Sequence, residues 1–133
     1  MALKFNESLD TNTILRLMLD DVPGQRAKVI ELLCRPDATY HIADLAITET
    51  VYVLQKYGKT RAEIVRYLEG LMKRMNIMVN QNLFERVFPM YLACPKLSFN
   101  DCCLAGYAAL NQAEPLWTFD KALAKESGTA KLV

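Results

Sequence analysis

The sequence predicts a three-layer α/β/α fold, in which helices cover both faces of a central parallel sheet of four to five strands. Two observations support this fold class: short β-prone segments alternate with helix-like segments, and this alternation continues along the whole chain. Right-handed crossovers between parallel strands place helices on both faces of the sheet. The 133 residues are enough for one core, so we expect a single domain over residues 1–133.

The first part of the chain predicts one strand and two helices. The segment LKFNESLD is extended in character, although it is unusually polar for a strand of a parallel sheet. TNTILRLMLD has the apolar spacing of a helix that ends near Asp21, and Pro23 suits the first turn of a second helix that ends before Pro36. The predicted apolar face of this second helix consists of Ala27, Ile30, Leu33 and Cys34.

Capping residues indicate where the next two helices begin. The β-prone residues 39–43 are followed by Asp44, which stands at an N-cap position before LAITETVYVLQKYG. Thr60 and Glu63 have the spacing of a capping box, and they precede the helix-like segment IVRYLEGLMKRM. We therefore predict a strand and two helices here.

The remaining segments repeat the alternation. NIMVN predicts a short buried strand, and the helix over about 83–93 contains Pro89, which predicts a kink or an early end. Ser98 and Asp101 have capping-box spacing at the start of the apolar helix DCCLAGYAALNQ. PLWTF predicts another strand, Asp120 is a candidate cap for the helix DKALAK, and KLV predicts an edge strand.

Composition excludes several classes of protein. Sixteen basic and fifteen acidic residues leave a net charge of +1, which excludes a bulk polycation. No apolar run approaches the roughly 20 residues of a membrane helix, and MALKFNESLD lacks the features of a secretory signal. We therefore expect a cytoplasmic protein without membrane contact. One histidine and four cysteines without a C-x-x-C motif provide too few well-spaced ligands for zinc.

Four acidic residues in or beside apolar stretches are candidate functional residues: Asp10, Glu49, Asp101 and Asp120. Because burying an unpaired carboxylate costs roughly several kcal/mol, each should reach solvent, find a partner or share a cation. Asp10 and Asp120 follow predicted strands, so they belong to the carboxyl edge, where open α/β sheets bind ligands. Glu49 lies about one turn into a helix, and spacing alone does not place Asp101 at this edge.

Structural roles also explain these acids. Asp10 and Asp120 stand where helix caps are expected, and Asp101 completes a capping box with Ser98. Glu49 is harder to explain in this way because apolar residues surround it in the sequence. The residues alone therefore leave a metal site and a set of structural carboxylates both open.

Four strings carry a resemblance to a known family: LDTNTILRLML, ITETVYVL, SFNDCCLAGYA and LWTFDKALAK. Their content and order resemble those of PIN-domain ribonucleases, and in particular VapC-type toxins of type II toxin-antitoxin modules, over residues 3–133. This family has an opening hhhDTN segment, a glutamate in an apolar helix, a DxhhA helix and a final T-F-D before a basic residue. The resemblance implies a PIN-like fold, which brings the start of the Asp101 helix to the same edge as the other acids.

The resemblance also implies a metal-dependent endoribonuclease, in which a metal-activated water attacks a phosphodiester. Oxygen ligands without His or Cys select Mg²⁺ or Mn²⁺, and we expect one or two ions. The implied catalytic and metal-binding residues are Asp10, Glu49, Asp101 and Asp120, and the supporting polar residues are Asn12 and Thr118.

Substrate and partners follow from the same resemblance. Arg16 and Lys121 are candidates for contacts to RNA phosphates, although ordinary surface charge explains each of them as well. The resemblance implies a homodimer that is inhibited by a small antitoxin protein. The Leu- and Met-rich segments TILRLMLD and IVRYLEGLMKRM are candidate partner surfaces, unless the domain itself buries them.

Three alternatives stay open at this point. The chain could be a free-standing PIN-domain nuclease of RNA processing, a PIN-like binding module without turnover, or a receiver-like signalling domain. Asp20 and Asp21 follow a helix rather than the first strand, which argues against the receiver. The sequence does not identify the RNA.

Overall fold

The chain has an α/β fold with parallel strands, and the computed structural model describes residues 5–133. Its elements form two compact units, of which the first ends at Val79 and the second comprises Asn80–Val133. The predicted α/β class is confirmed. The described strands form a three-stranded and a two-stranded sheet, so they do not show the predicted single sheet of four to five strands. Leu3 and Lys4, which belong to the predicted first strand, lie outside the described residues.

The first unit contains a parallel sheet with the strand order β1-β2-β3. Phe5 of β1 is opposite Ala38 of β2, and Tyr40 of β2 is opposite Ile77 of β3. Since all three strands run in the same direction, their carboxyl ends lie at one edge of this sheet. The elements of the unit are β1 (Phe5–Ser8), α1 (Thr11–Leu19), α2 (Gln25–Leu33), β2 (Ala38–His41), α3 (Asp44–Lys56), α4 (Arg61–Met72) and β3 (Ile77–Met78).

An apolar core fixes the helices of the first unit. Each fully buried aliphatic side chain contributes about 1.5–3 kcal/mol relative to an exposed one. The helices α3 and α4 supply much of this core because each buries apolar residues at spacings of three and four, and α1 adds the adjacent pair Ile14 and Leu15. The most deeply buried members include Ile14, Leu15, Tyr40, Ile47, Leu54, Ile64 and Leu68.

The polar character of β1 is explained by its surroundings. Three of its four residues are exposed, and the half-buried Glu7 accepts a hydrogen bond of 2.8 Å from Nη1 of Arg35. The Arg35 guanidinium also lies 5.2 Å from the ring centroid of Phe5. These contacts accommodate polar residues that would be unfavourable in a strand buried on both faces.

Helix starts agree with the capping patterns, with one exception. The box of Thr60 and Glu63 is present at α4, where the Thr60 hydroxyl accepts from the Glu63 backbone at 3.1 Å. The predicted N-cap Asp44 is wrong by one residue because Ala43 occupies the cap and Asp44 is the first residue of α3. A carboxylate in the first turn is still favoured by the helix dipole.

The predicted apolar face of α2 is only partly correct. Val29 and Leu33 are its buried residues, while Ala27, Ile30 and Cys34 are exposed. Val29 and Leu33 are four positions apart, so they form one narrow stripe along this nine-residue helix. Ala27 and Ile30 lie on other faces because each residue turns the helix by about 100°.

The second unit consists of three helices and a two-stranded parallel sheet. Pro89 does not end its helix, which continues to Ala93. The predicted box of Ser98 and Asp101 is confirmed at the start of the following helix. No helix within residues 5–133 is long and apolar enough to cross a membrane. The elements are α5 (Gln81–Ala93), α6 (Phe99–Leu110), β4 (Leu116–Thr118), α7 (Lys121–Glu126) and β5 (Ala130–Leu132).

Close packing of α5 against α6 stabilises the second unit. Tyr91 and Phe99 meet edge to face, with ring centroids 5.1 Å apart. A Cβ atom at Gly106 would stand 3.0 Å from Cδ1 of Leu83 and 3.2 Å from Cγ2 of Val87. Glycine at 106 therefore permits the two helices to approach.

The substitution Gly106→Ala is expected to lower the free energy of unfolding by about 1 kcal/mol. Overpacking against Leu83 and Val87 costs typically about 1–3 kcal/mol, which exceeds the gain of about 1 kcal/mol in helix propensity. Gly70→Ala in α4 is the matched control because a Cβ there meets open space, and it should stabilise the protein by about 0.5–1 kcal/mol. Urea denaturation measures the free energy of unfolding of both variants. Equal stabilisation by Gly106→Ala and Gly70→Ala would contradict the close approach of α5 and α6 at Gly106.

Candidate nuclease site

Asp10 is fixed at the junction between β1 and α1. It is the N-cap of α1, and its Oδ1 accepts hydrogen bonds from the backbone N of Thr13 at 2.8 Å and from Thr13 Oγ1 at 2.7 Å. These two bonds, the backbone bond first, hold the pKa of Asp10 below its ordinary value. Oδ2 makes no hydrogen bond or ion pair with residues 5–133. The carboxylate is thus oriented and ionised, with one oxygen available.

Glu49 lies on the exposed side of α3. The helix buries Ala46, Ile47 and Thr50 on its other faces, so the apolar neighbours of Glu49 in the sequence do not bury it. Thr11 Oγ1 donates a hydrogen bond of 2.7 Å to Oε2 of Glu49. This bond ties α3 to the first residue of α1, while Oε1 has no hydrogen bond to the described part of the chain.

Asp10 and Glu49 line one cavity of about 420 Å³ in the first unit. Asn12 is exposed and lines the same cavity, and within residues 5–133 its amide makes no hydrogen bond. The apolar part of the lining consists of Leu15, Tyr52 and Val53. The structure therefore brings together three of the predicted site residues: Asp10, Asn12 and Glu49.

Asp101 and Asp120 belong to the second unit, where Asp101 completes the capping box of α6 and Asp120 is the N-cap of α7. Asp101 is half-buried in the first turn of α6, and its Oδ2 accepts from the Ser98 backbone at 3.4 Å. Asp120 is exposed and accepts at 3.0 Å from the backbone N of Leu123. Thr118 Oγ1 accepts from the Asp120 backbone at 2.9 Å, so Thr118 shapes the turn that carries this carboxylate.

A site made of all four carboxylates stays a prediction. Three of the four acids are exposed and Asp101 is half-buried, so the cost of burying unpaired carboxylates does not explain their placement. In the described part of the chain, no three His, Cys, Asp or Glu side chains are grouped so that they could hold a metal.

The two predicted phosphate contacts have different surroundings. Arg16 is half-buried, and its Nη1 lies 2.9 Å from Oδ1 of Asp21. It lines a second cavity, to which Asp10 also contributes. Lys121 is exposed as the first residue of α7, beside the cap Asp120.

Thr11 and Thr13 are positioning residues. The hhhDTN motif includes Thr11, but the motif alone does not show that these two threonines orient the carboxylates. Both follow Asp10 within one helical turn, and each donates to one of the two cavity carboxylates. The N-cap spacing of Asp10 and Thr13 is a signal for the second of these contacts because an N-cap side chain accepts from the residue three positions on. The contact from Thr11 to Glu49 joins positions 38 residues apart, so local spacing does not reveal it.

The oxygen atoms that are available as metal ligands suit a hard divalent cation. Asp10 and Glu49 each have a carboxylate oxygen without a hydrogen bond to residues 5–133, and the amide oxygen of Asn12 is a further hard donor on the same cavity. Mg²⁺ and Mn²⁺ prefer oxygen ligands of this kind. The lining contains no His or Cys, which would favour softer metals.

Comparison with known proteins identifies the family. The sequence model of the PIN domain matches residues 8–127, and the chain belongs to the PIN domain family. PIN domains are generally nucleases that use divalent metals. The family match covers every predicted site residue from Asp10 to Lys121. No curated protein matches this sequence.

Similar solved structures include a toxin-antitoxin complex from Klebsiella pneumoniae, with 21% identity, 96% of each chain covered and a TM-score of 0.36. Another is the PAE2754 protein of Pyrobaculum aerophilum, with 22% identity and a TM-score of 0.35, where the match covers 100% of this chain and 85% of the other. Membership of the family rests on the sequence match alone.

The substitution Thr13→Val is expected to raise the pKa of Asp10 toward its ordinary value of 3.8, because it removes one of two hydrogen bonds to the ionised carboxylate. Carbon-detected NMR titration of the carboxyl group measures this change. Thr13→Ser keeps the hydroxyl and is the control. An Asp10 pKa that is identical in the wild type and Thr13→Val would contradict the assigned contact.

The same bond links stability to pH. Because the pKa of Asp10 is lowered in the folded state, its contribution to stability is complete above its ordinary value and is lost as the pH falls through the folded value. The stability difference between the wild type and Thr13→Val should therefore shrink below about pH 4.

Proposed function

We propose that the protein is a metal-dependent endoribonuclease that hydrolyses phosphodiester bonds, with residues 1–133 as one nuclease domain around a sheet of four to five strands. The observation that carries the proposal is the placement of Asp10 and Glu49 on one cavity, in a chain of the PIN family. Both residues follow parallel strands whose carboxyl ends lie at one edge. This is the edge at which open α/β sheets bind ligands.

Four carboxylates serve the proposed centre: Asp10, Glu49, Asp101 and Asp120. Their match to the family motif supports this set, and the free oxygens of Asp10 and Glu49 support a cation site. One or two Mg²⁺ or Mn²⁺ ions bound there would polarise the scissile phosphate and lower the pKa of an attacking water.

The protein side chains position this chemistry. Thr13 orients Asp10 and favours its ionised form, and Thr11 fixes one oxygen of Glu49. Oε1 of Glu49 is then available to orient the attacking water by accepting a hydrogen bond from it. The amide of Asn12 supplies a donor and an acceptor on the same cavity. Arg16 and Lys121 are proposed contacts to the phosphates of the bound RNA.

The proposal extends to the biological role of a VapC-type toxin in the cytoplasm, on the basis of the ordered motifs from LDTNTILRLML to LWTFDKALAK. Its partners would be a small antitoxin and a second copy of the chain. Of the two predicted partner segments, α4 buries its apolar face, including Ile64, Leu68 and Leu71. Leu17, Met18 and Leu19 of α1 are only half-buried, which makes α1 the better candidate.

Membership of the PIN family bears on the three alternative functions that the sequence left open. A receiver-like domain is not a PIN domain, so that alternative no longer applies. A free-standing PIN nuclease shares the same centre and differs only in its partners. A PIN-like module without turnover differs in activity, which the following experiment measures.

Incubation with RNA and Mn²⁺ or Mg²⁺ should give cleavage that a chelator abolishes. Asp10→Asn, Glu49→Gln and Asp101→Asn are each expected to lower the cleavage rate about a hundredfold or more. Asn replaces Asp well at the N-cap of α1, and Gln at position 49 can still accept from Thr11, so Asp10→Asn and Glu49→Gln keep the structural contacts while removing the charge.

Asp20→Asn is the matched control for this series. Asp20 is an exposed carboxylate at the other end of α1, and its left-handed backbone, with φ of 50°, suits asparagine. This control should cleave RNA at the wild-type rate. If both Asp10→Asn and Asp101→Asn cleaved RNA at the wild-type rate, the proposed centre would be excluded.

A further inference from the structure

A second cavity adjoins the candidate nuclease site within the first unit. It has a volume of about 290 Å³ and is lined by residues of α1 and α2. Asp10 and Asn12 line both this cavity and the one that contains Glu49, so the two cavities meet at the start of α1. Arg16, Gln25 and Lys28 line only the second cavity, and we call it the Lys28 cavity.

The two cavities differ in charge. The first contains the carboxylates of Asp10 and Glu49 and no basic residue. The Lys28 cavity contains two basic residues, while Asp10 is its one acid. Among the residues that line the two cavities, basic side chains therefore occur only in the Lys28 cavity, while Lys56 lies outside the first lining with its Nζ 4.4 Å from the ring centroid of Tyr52.

Lys28 is the cation whose charge is available in this cavity. Arg16 is paired with Asp21 at 2.9 Å, which offsets its charge and orients its guanidinium. Lys28 is exposed and forms no ion pair within residues 5–133. The side-chain amides of Gln25 and Asn12 add donors on the same lining.

We propose that the Lys28 cavity binds a backbone phosphate of the RNA strand, next to the phosphate that is cleaved at Asp10. The inference rests on the proposed nuclease function and assigns it a substrate-binding residue, Lys28. The ammonium group contacts the phosphate, while the paired Arg16 and the amide of Gln25 line the phosphate position. A lysine acts here as a point charge and carries no sequence readout.

Continuity between the cavities favours a nucleic acid over an acidic protein. Neighbouring phosphates of one strand are connected by a single sugar, so a strand bound at Asp10 necessarily presents its next phosphate close by. The shared lining of Asp10 and Asn12 makes the Lys28 cavity the direct neighbour of the first cavity. An acidic protein segment, in contrast, contains no group that has to bind beside Asp10.

Fluorescence anisotropy with a labelled single-stranded RNA tests this inference. Affinity is measured in the Asp101→Asn background so that the RNA survives, at several salt concentrations. Lys28→Ala should weaken binding about tenfold, as expected for loss of one charge-assisted contact. It should also reduce the slope of log affinity against log salt by about 0.7, because one fewer counterion-releasing contact forms. Lys28→Arg keeps the charge and should restore the slope.

Lys73→Ala is the matched control because Lys73 is an exposed lysine of the same unit at the end of α4. Cleavage by the wild type together with equal RNA affinity of Lys28→Ala and Lys73→Ala would overturn this inference and leave the proposed function intact. A wild type that neither cleaves nor binds RNA would overturn both. If Lys28→Ala weakened binding of poly-glutamate but not of RNA, the cavity would instead belong to an acidic protein partner.

Discussion

The pair of hydrogen bonds from Thr13 to Asp10 is the interaction on which the candidate site depends. It begins α1 immediately after β1, and it directs one oxygen of Asp10 into the helix cap while the other stays available. The next contact, from Thr11 to Glu49, joins the start of α1 to α3. One turn of helix thus stabilises the local fold and orients two carboxylates at the carboxyl edge of the sheet.

Helix starts could be predicted from the sequence because caps are local. The boxes at Thr60 and Ser98 and the cap at Asp120 depend on residues within one turn, and all three are present. Burial could not be predicted in the same way. Ile30 has a core-like position in the sequence, yet it is exposed because α2 buries a stripe of only two residues. Which face of a short amphipathic helix is covered depends on its neighbours in space.

In the candidate site, too, residues within one motif could be predicted from the sequence, whereas contacts between distant segments could not. Asp10 and Asn12 share a motif, and Glu49 was identified from its apolar surroundings and the family resemblance. The burial argument for Glu49 failed because its side chain lies on the exposed side of α3. Lys28 has no motif, and its place beside Asp10 follows only from the packing of α2 against α1. The prediction that Asp10, Glu49, Asp101 and Asp120 form one set could not be made from residue spacing alone. It also needed the resemblance to the family.

The central claim is that Asp10 and Glu49 form part of a divalent-cation centre. An anomalous difference map from crystals soaked in Mn²⁺ measures this directly because manganese can be located without assumptions about its ligands. The account predicts a peak within about 2–2.5 Å of a carboxylate oxygen of Asp10, on the cavity that Glu49 lines. The peak should disappear in Asp10→Asn. Manganese bound only at sites remote from Asp10 and Glu49 would contradict the account.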